Sequence, residues 1–375
     1  MALLLGASSC GPTMPSKARI QELRHRYKLQ KEYVQEFNSN NASNRIVRFF
    51  AGDEPGFILA GTVANVPEDR PTWEDLPGSG LWMSHDNGVT WTAATNGLDA
   101  TKCVEAIVRD DARDLLYVAS LRGGISRSQD RGVTWEDFSD GLPAGIIVCG
   151  LTLDPQSGTL AATLAQDGIG AYLRERDADG WRAIGDGIPA EAAVVKELLP
   201  TEKGVIALTG TGPVIIITGY KPYEFGIFRG TPEGDAYQWA RMRHPYRSKS
   251  FEAVSVIRLS STGSLLAGGA AGVWELGGKG WKCLLDADFV SDMVVEQGGR
   301  QRILVRTADK LLVQEAGVWK PFEGTPWNPL AFVLQMQFAH GKVYVLTSDG
   351  LFYAGEDGVW AKVPTPQGEA HRQEI

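Results

Sequence analysis

Short apolar runs continue along the chain from Arg45 to the C-terminal region. They combine Val, Ile, Leu, Phe and Tyr, and Gly, Pro, Asp or Asn interrupts them repeatedly. Interrupted runs of this kind are typical of β-strands joined by turns, and no helical pattern of about 10 residues separates them. We therefore predict an all-β domain over residues 45–364, followed by a polar tail at residues 365–375.

Seven tryptophans recur at nearly regular intervals in this region. Their successive spacings are 44, 46, 58, 42, 38 and 41 residues, and a four-stranded propeller blade has a period of roughly 40–45 residues. Residues 104–138 divide into four strand-like runs, and so do residues 334–363. The pattern predicts a seven-bladed β-propeller of four-stranded blades. The seven residues are Trp91, Trp135, Trp181, Trp239, Trp281, Trp319 and Trp360.

One eight-residue sequence occurs twice, as SHDNGVTW and as SQDRGVTW. Each copy falls between the third and fourth strands of its blade. There Asp can accept backbone hydrogen bonds in an Asx turn, and Gly supplies a backbone angle that other residues resist. The Trp adds a large ring that can be buried between blades. We predict structural roles for Ser84, Asp86, Gly88, Thr90 and Trp91 in the first copy, and for Ser128, Asp130, Gly132, Thr134 and Trp135 in the second.

The pattern Ser-x-Asp-x-Gly-x-Thr-Trp resembles the Asp-box or BNR repeat. That repeat occurs in sialidases, xyloglucan-active glycosidases, sortilin-type receptors and photosystem II assembly factors of the Ycf48 and HCF136 type. The resemblance covers roughly residues 45–364 and implies a sialidase-like propeller framework. It implies no single activity, because propellers host unrelated functions.

The first residues resemble a bacterial lipoprotein signal. In MALLLGASSC, Ala7, Ser8 and Ser9 follow a leucine run and precede Cys10, as in a lipobox. The apolar run is shorter than the roughly 7 to 15 residues of a signal core. We predict that residues 1–16 are a leader with lipidation at Cys10, and a plain disordered leader is the alternative.

Residues 17–37 have a helical pattern, and residues 38–44 link the helix to the propeller. Six basic residues and three acidic ones lie in this helix. A basic amphipathic helix can lie on an anionic membrane or dock on a partner. The alternative is that it packs back on the propeller. The apolar positions are Ile20, Leu23, Tyr27, Val34 and Phe37.

Composition narrows the classes of partner. The net charge of −8 and the pI near 5.3 argue against nucleic acid, whose binding depends on Lys and Arg. Neither the four cysteines nor the five histidines have the spacing of a metal site, so we predict no metal and no cofactor. The N-terminal features favour a periplasmic or extracellular protein that could attach to a membrane through Cys10 or the helix, with a cytoplasmic protein as the alternative. We expect the propeller to be monomeric.

The predicted binding site lies on one face of the propeller. Turns between the second and third strands and connections between blades leave on the face opposite the octapeptides, which we call the loop face, and binding residues usually lie in such loops. Two insertions in blade four, at 211–226 and 241–250, bring basic and aromatic residues to it. Arg and Tyr there can hold an anionic group. Simple packing of these loops on their neighbours is the alternative. The predicted ligand-binding residues are Tyr220, Lys221, Tyr223, Glu224, Arg241, Arg243, His244, Tyr246, Arg247 and Trp327.

Further charged residues fall on the same face. An acidic loop at 63–80 is long enough to be a lid or a docking element. Five residues on turns between second and third strands are candidates for the mouth of the channel, although turn formation explains them as well. They are Arg122, Asp167, Arg306, Asp309 and Asp349.

No complete catalytic set is apparent. The sialidase resemblance implies an arginine triad introduced by Arg-Ile-Pro, but this chain reads Arg45-Ile46-Val47-Arg48. We therefore expect a non-catalytic binding or scaffold protein of the cell envelope that holds a protein partner or an acidic glycan. The alternative is a carbohydrate-active enzyme, either a sialidase-like glycosidase or a polysaccharide lyase, in which Tyr or His is the base and Arg neutralises a carboxylate. Its catalytic candidates are Tyr223, His244, Tyr246 and Arg247.

Overall fold

The computed structural model describes residues 16–40, 45–52, 54–63, 78–99, 103–165, 170–189, 194–210, 226–243, 254–296 and 300–367. Within these ranges one helix, α1 (Lys17–Asn40), precedes seven four-stranded antiparallel sheets. In each sheet the strands lie in chain order, so every sheet is one up-and-down blade. The predicted fold, a seven-bladed β-propeller with an N-terminal helix, is confirmed.

The first four blades contain strands β1 to β16. Blade one contains β1 (Arg45–Ala51), β2 (Ile58–Val63), β3 (Gly78–Ser84) and β4 (Thr92–Ala93). Blade two contains β5 (Val104–Asp110), β6 (Leu115–Ser120), β7 (Gly124–Ser128) and β8 (Glu136–Asp137). Blade three contains β9 (Ile147–Leu153), β10 (Leu160–Ala165), β11 (Ala171–Arg174) and β12 (Arg182–Ala183). Blade four contains β13 (Val195–Thr201), β14 (Gly204–Thr209), β15 (Gly226–Glu233) and β16 (Ala236–Met242).

The last three blades contain strands β17 to β28. Blade five contains β17 (Val254–Leu259), β18 (Leu265–Gly269), β19 (Gly272–Gly277) and β20 (Gly280–Leu285). Blade six contains β21 (Val290–Val295), β22 (Ile303–Thr307), β23 (Leu311–Glu315) and β24 (Val318–Pro321). Blade seven contains β25 (Val333–Ala339), β26 (Lys342–Thr347), β27 (Gly350–Ala354) and β28 (Trp360–Lys362).

The chain forms two compact units. One contains the start of α1, up to Arg24, together with residues Arg243–Phe322, which include blades five and six. The other contains α1 from His25, blades one to four and blade seven. In the larger unit the first strands of blades seven, one, two, three and four pack in that order. In the smaller unit β17 packs on β21.

Each first strand has the same irregularity. The pairing of the first and second strands shifts register once in every blade, which is the sign of a β-bulge. The extra residue is Val47 in β1 and Glu105 in β5, for example. A bulge bends the strand and increases its twist. Seven bulges at equivalent positions therefore give the seven inner strands the same curvature.

Two glutamines join the last blade to the first. The Oε1 atom of Gln335 accepts from the amide of Phe49 at 3.1 Å, and its Nε2 donates to the carbonyl of Phe49 at 2.8 Å. Gln337 makes the same two bonds with Ala51, at 2.9 and 2.8 Å. Unpaired backbone groups on a strand edge are costly when they are buried. The two side-chain amides therefore satisfy the free edge of β1 as a neighbouring strand would.

The seven repeating tryptophans make equivalent hydrogen bonds. In the larger unit the indole Nε1 of Trp135 donates to the carbonyl of Ala94 at 2.9 Å. Ala94 is the residue that follows the outer strand of the preceding blade. The indoles of the other six donate to backbone carbonyls in the same way. The acceptors are Pro364 for Trp91, Phe138 for Trp181, Ile184 for Trp239, Arg243 for Trp281, Leu284 for Trp319 and Glu323 for Trp360.

The apolar cores lie between neighbouring blades. Trp181 of blade three packs into a core that includes Tyr117 and Phe138 of blade two, and Trp135 packs with Leu59 and Leu81 of blade one. Each of these sheets buries both faces, because the second strands β2 and β6 are buried along their whole length. A blade is therefore stable only with neighbours on both sides.

Gly141 packs closely against the backbone of Trp181 in the third blade. It has φ +89°, and a Cβ built on it would overlap the backbone carbonyl of Trp181. Gly145 nearby has φ +67°, but no described atom lies within 4 Å of its built Cβ. We expect Gly141→Ala to lower the free energy of unfolding by about 2 to 4 kcal/mol, through both backbone strain and overlap.

Gly145→Ala is the matched control for that change. It introduces the same strain without overlap and should cost only about 1 kcal/mol. Denaturant unfolding of the two variants measures the difference. Equal losses would show that Trp181 does not need the close approach at Gly141.

Candidate functional site

In the octapeptide turns the Ser, Asp and Thr side chains form hydrogen bonds within the turn itself. In the first copy, the Oδ1 of Asp86 accepts from the backbone amide of Thr90 at 2.8 Å, and its Oδ2 accepts from the Thr90 hydroxyl at 2.6 Å. The hydroxyl of Ser84 donates to Asp86 at 2.8 Å and accepts from the amide of Gly88 at 2.8 Å. Gly88 has φ +85°. The side chains of Ser84, Asp86 and Thr90 therefore stabilise the turn through bonds within it.

The second copy repeats this network. The carboxylate of Asp130 accepts from the amide of Thr134 at 2.8 Å and from its hydroxyl at 2.5 Å. Ser128 donates to Asp130 and accepts from Gly132, both at 2.8 Å. The hydrogen bonds from Thr90 lower the pKa of Asp86 to about 2, and those from Thr134 lower the pKa of Asp130. Both groups are ionised at neutral pH and poorly suited to be general acids.

Most of the predicted blade-four site lies outside the described residues. Arg241 is an exposed residue of β16, opposite Phe228 of β15, near the loop end of the blade. Arg243 follows β16, is exposed, and its carbonyl accepts from Trp281. The other blade-four candidates, and with them all four catalytic candidates, fall in undescribed segments, as do Cys10, Asp167 and most of the acidic loop. The undescribed blade-four residues are Tyr220, Lys221, Tyr223, Glu224, His244, Tyr246 and Arg247.

Trp327 lies in an aromatic cluster of blade seven. Its ring is 4.9 Å from that of Trp360 and 5.4 Å from that of Phe352, measured between centroids. The ring is half-buried. Trp327 and Arg241 are therefore on different blades, and Trp327 packs on the strands of its own blade.

Arg48, in the segment that resembles the arginine region of sialidases, forms a contact between blades one and two. Arg48 donates from Nε to the carbonyl of Glu105 at 2.7 Å, and from Nη2 to its carboxylate at 3.0 Å. Burial raises the pKa of Glu105, and the charge of Arg48 opposes that rise. The pair joins the inner strands of blades one and two. Glu105 could not be recognised from the sequence, because only the bulge in β5 identifies its position.

Two free cysteines lie close to this pair. Cys103 is buried, and Cys149 packs on the same small apolar cluster. Burial raises the pKa of the two thiols to about 12 and about 11, respectively. Both are therefore protonated at neutral pH, whereas the thiolate is the form that reacts and binds metals.

In the smaller unit, the start of α1 binds the loop face. Arg19 donates from Nε to Asp288 at 2.7 Å and reaches Asp309 at 3.5 Å. Asp288 lies on the connection between blades five and six, and Asp309 lies between β22 and β23. Arg19 also pairs with Glu22 at 2.8 Å. Its hydrogen bonds to Glu22 and to Asp288 raise the pKa of the guanidinium.

In the larger unit, the middle of α1 binds the loop face of blade seven. The hydroxyl of Tyr33 donates to Asp349 at 2.9 Å, and Nη2 of Arg26 donates to the carbonyl of Pro329 at 2.9 Å. The ring of Tyr27 meets that of Phe332 edge-on at 5.9 Å. Burial and the hydrogen bond to Asp349 raise the pKa of Tyr33 to about 12. Of the three positions that the sequence left open for the helix, these contacts correspond to packing on the propeller.

Two of the five predicted channel-mouth residues therefore bind α1. Asp309 and Asp349 accept from the helix. Arg306 is in β22, Arg122 is an exposed turn residue with φ 57°, and both have further interactions within the chain. Sequence reasoning missed the pairing of helix and loop face. The signal was present, because Arg19, Arg26 and Tyr33 recur every seven residues and so lie on one side of a helix.

Searches for a membrane span and for a metal site give no candidate within the described ranges. No helix there combines the length and the apolar character needed to cross a bilayer. No group of three or more His, Cys, Asp or Glu side chains there could hold a metal ion.

Comparison with protein-family models gives no match, and neither does comparison with curated protein sequences. The fold is nevertheless similar to that of many solved structures. YCF48 bound to a D1 peptide has a TM-score of 0.52 at 14% identity, over 83% of this chain and 91% of that one. The extracellular domain of a hybrid two-component system from B. thetaiotaomicron has a TM-score of 0.56 at 15% identity, over 83% and 38%.

PorZ, a surface component of the type-IX secretion system of Porphyromonas gingivalis, has a TM-score of 0.53 at 14% identity, over 82% of this chain and 46% of that one. This chain spans less than half of the length of the last two structures. At these identities the similarity establishes the propeller fold alone.

The octapeptide network predicts a defined acid response. Because its pKa is about 2 in the folded protein and ordinarily 3.8, Asp86 stabilises the fold fully above about pH 4 and loses that contribution as the pH falls through 2. Asp86→Asn should therefore lower the melting temperature at pH 6, and the difference from wild type should shrink between pH 4 and pH 2. Thermal melts followed by circular dichroism measure it.

Thr90→Val is the companion variant. It removes the hydroxyl that binds Asp86, so the pKa of Asp86 should rise towards its ordinary value in a carboxyl NMR titration. If Asp86→Asn melts like wild type at pH 6, the turn network contributes nothing to stability.

Proposed function

We propose that this protein is a non-catalytic propeller that holds a protein partner on its loop face. The observation that carries the proposal is that this face already binds a polypeptide. Asp288 and Asp309 accept from Arg19, and Asp349 accepts from Tyr33. Carboxylates on turns and connections, supported by rigid strands, are a good arrangement for binding a basic helical segment.

The opposite ends of the blades are poor candidates for binding. The Ser, Asp and Thr side chains of both octapeptides are occupied by hydrogen bonds within their own turns. The division of roles between the two ends supports a scaffold that is stabilised at one end and binds at the other.

The solved structures add support at the level of fold. One similar propeller is a YCF48 with a bound D1 peptide, so this architecture can hold a peptide. Others are an extracellular domain and a bacterial surface component. Together with the lipobox resemblance at Cys10, they support a location in the cell envelope, and the two octapeptides support a relationship to the Asp-box propellers.

Site-specific photo-crosslinking tests the proposal. A photoreactive residue at Arg122, on the loop face of blade two, should give protein adducts in envelope preparations of the source organism. The same residue at Val133 is the control, since Val133 is 54% exposed on the octapeptide turn of the same blade. Adducts at both positions in equal yield, or at Val133 alone, would contradict the assignment of the binding face.

A further inference from the structure

Blade seven has a surface that receives a helix. We call it the receiving surface, and it consists of Asn328, Pro329 and Phe332 on the connection into the blade and Asp349 on the turn between β26 and β27. Its groups are held in place by one another. The amide of Asn328 donates to Oδ2 of Asp349 at 2.9 Å, which leaves Oδ1 to accept from Tyr33. The amide of Asp349 in turn donates to the hydroxyl of Thr347 at 3.1 Å.

The receiving surface contacts three side chains of the helix. The carbonyl of Pro329 accepts a hydrogen bond from Arg26, and the carboxylate of Asp349 accepts one from the hydroxyl of Tyr33. The ring of Phe332 packs edge-on against that of Tyr27. Arg26 and Tyr33 are seven residues apart, which is two helical turns or about 10 Å along one side. The required pattern is therefore short: Arg followed at once by an aromatic residue, with Tyr six positions later.

Several groups of the bound helix stay open to solvent, and the contacts described above are mostly polar. Tyr27 is 52% exposed although it meets Phe332, whereas Gln30 of the same helix is buried. Exposed polar contacts and ion pairs contribute little net stability. In the smaller unit Arg19 is paired with Asp288 and Asp309, whose side chains are 49% and 34% exposed. Contacts of this kind allow α1 to leave and return.

The chain nevertheless keeps α1 close. Only four residues separate Asn40 from Arg45 in the sequence. A short tether gives an effective concentration on the order of millimolar. A tethered helix with partly exposed polar contacts can therefore occupy its surface most of the time and still be replaced by a competitor of similar chemistry.

We propose that the receiving surface is a binding site for a partner's basic helix, and that α1 is its intramolecular occupant. The partner segment carries Arg, an aromatic residue and Tyr at the spacing found in α1, and it replaces α1 on blade seven. This inference rests on the proposed function, because it identifies the kind of partner that the loop face takes.

A competition experiment tests the inference with the full-length protein. The probe is a fluorescein-labelled peptide with the sequence of residues 17–40, and its binding is measured by fluorescence anisotropy. In wild type the tethered helix competes with the peptide. In the triple variant Arg19→Gln, Arg26→Gln, Tyr33→Phe the chain's own helix is weakened, so we expect the peptide to bind at least about tenfold more tightly.

Two further variants control the result. Adding Asp349→Asn to the triple variant should remove most of the gain, because the acceptor of Tyr33 is weakened. Lys28→Gln should bind the peptide like wild type, since Lys28 is 75% exposed on α1 and its ion pair is with Glu32 of the same helix. Circular dichroism melts verify that each variant is folded.

The inference is overturned if wild type and the triple variant bind the peptide equally, if Asp349→Asn changes nothing, or if sedimentation shows a dimer that exchanges α1 between copies. Its failure is distinct from that of the proposed function. Partner adducts at Arg122 with no difference between the peptide affinities would disprove the helix exchange and leave the binding face intact. The expected affinities without any loop-face adduct would instead refute the proposed function.

Discussion

The structure depends on an indole N–H group that finds a backbone carbonyl outside its own blade. Each repeating tryptophan lies directly before an outer strand or within one, at the edge of its sheet. Its ring covers part of that edge, and its Nε1 donates to a backbone carbonyl. Trp135, Trp181 and Trp239 reach back 41, 43 and 55 residues to do so. Because the donor of each of these three bonds belongs to one blade and the acceptor to the one before it, the bonds couple the packing of neighbouring sheets in the larger unit.

At the first strands, side chains other than tryptophan bond to backbone groups of the neighbouring blade. Arg48 bonds to the carbonyl of Glu105, and Ser255 bonds to that of Val290 at 2.6 Å. Gln335 and Gln337 pair with two residues of β1 that lie 286 positions earlier in the chain. The first and last blades therefore join through side-chain amides, whereas the four strands of each blade come from one continuous stretch of sequence.

The two ends of the blades differ in how their polar groups are used. At the octapeptide end, Asp86 and Asp130 are consumed by local hydrogen bonds, which also lower their pKa. At the loop face, Asp309 and Asp349 sit on turns of similar length but bind a helix from elsewhere in the chain. An aspartate whose own turn supplies several donors is part of the scaffold, and one whose turn supplies few is available to a ligand. This difference explains how one repeated architecture can be rigid and still bind.

The sequence by itself determined the repeat. The spacing of the tryptophans and the two octapeptides identified seven blades, the order of strands within them and the structural role expected of Asp86 and Asp130, because each of these depends on residues within one repeat period. The position of α1 was left open between membrane, partner and propeller. Only the tertiary structure decided it, since Asp288 and Asp349 are separated from the helix by some 270 to 320 positions. The pairing of Arg48 with Glu105 and the glutamine bonds to β1 were equally hidden, because each depends on the register of two strands from different blades, and a single sequence contains no information on that register.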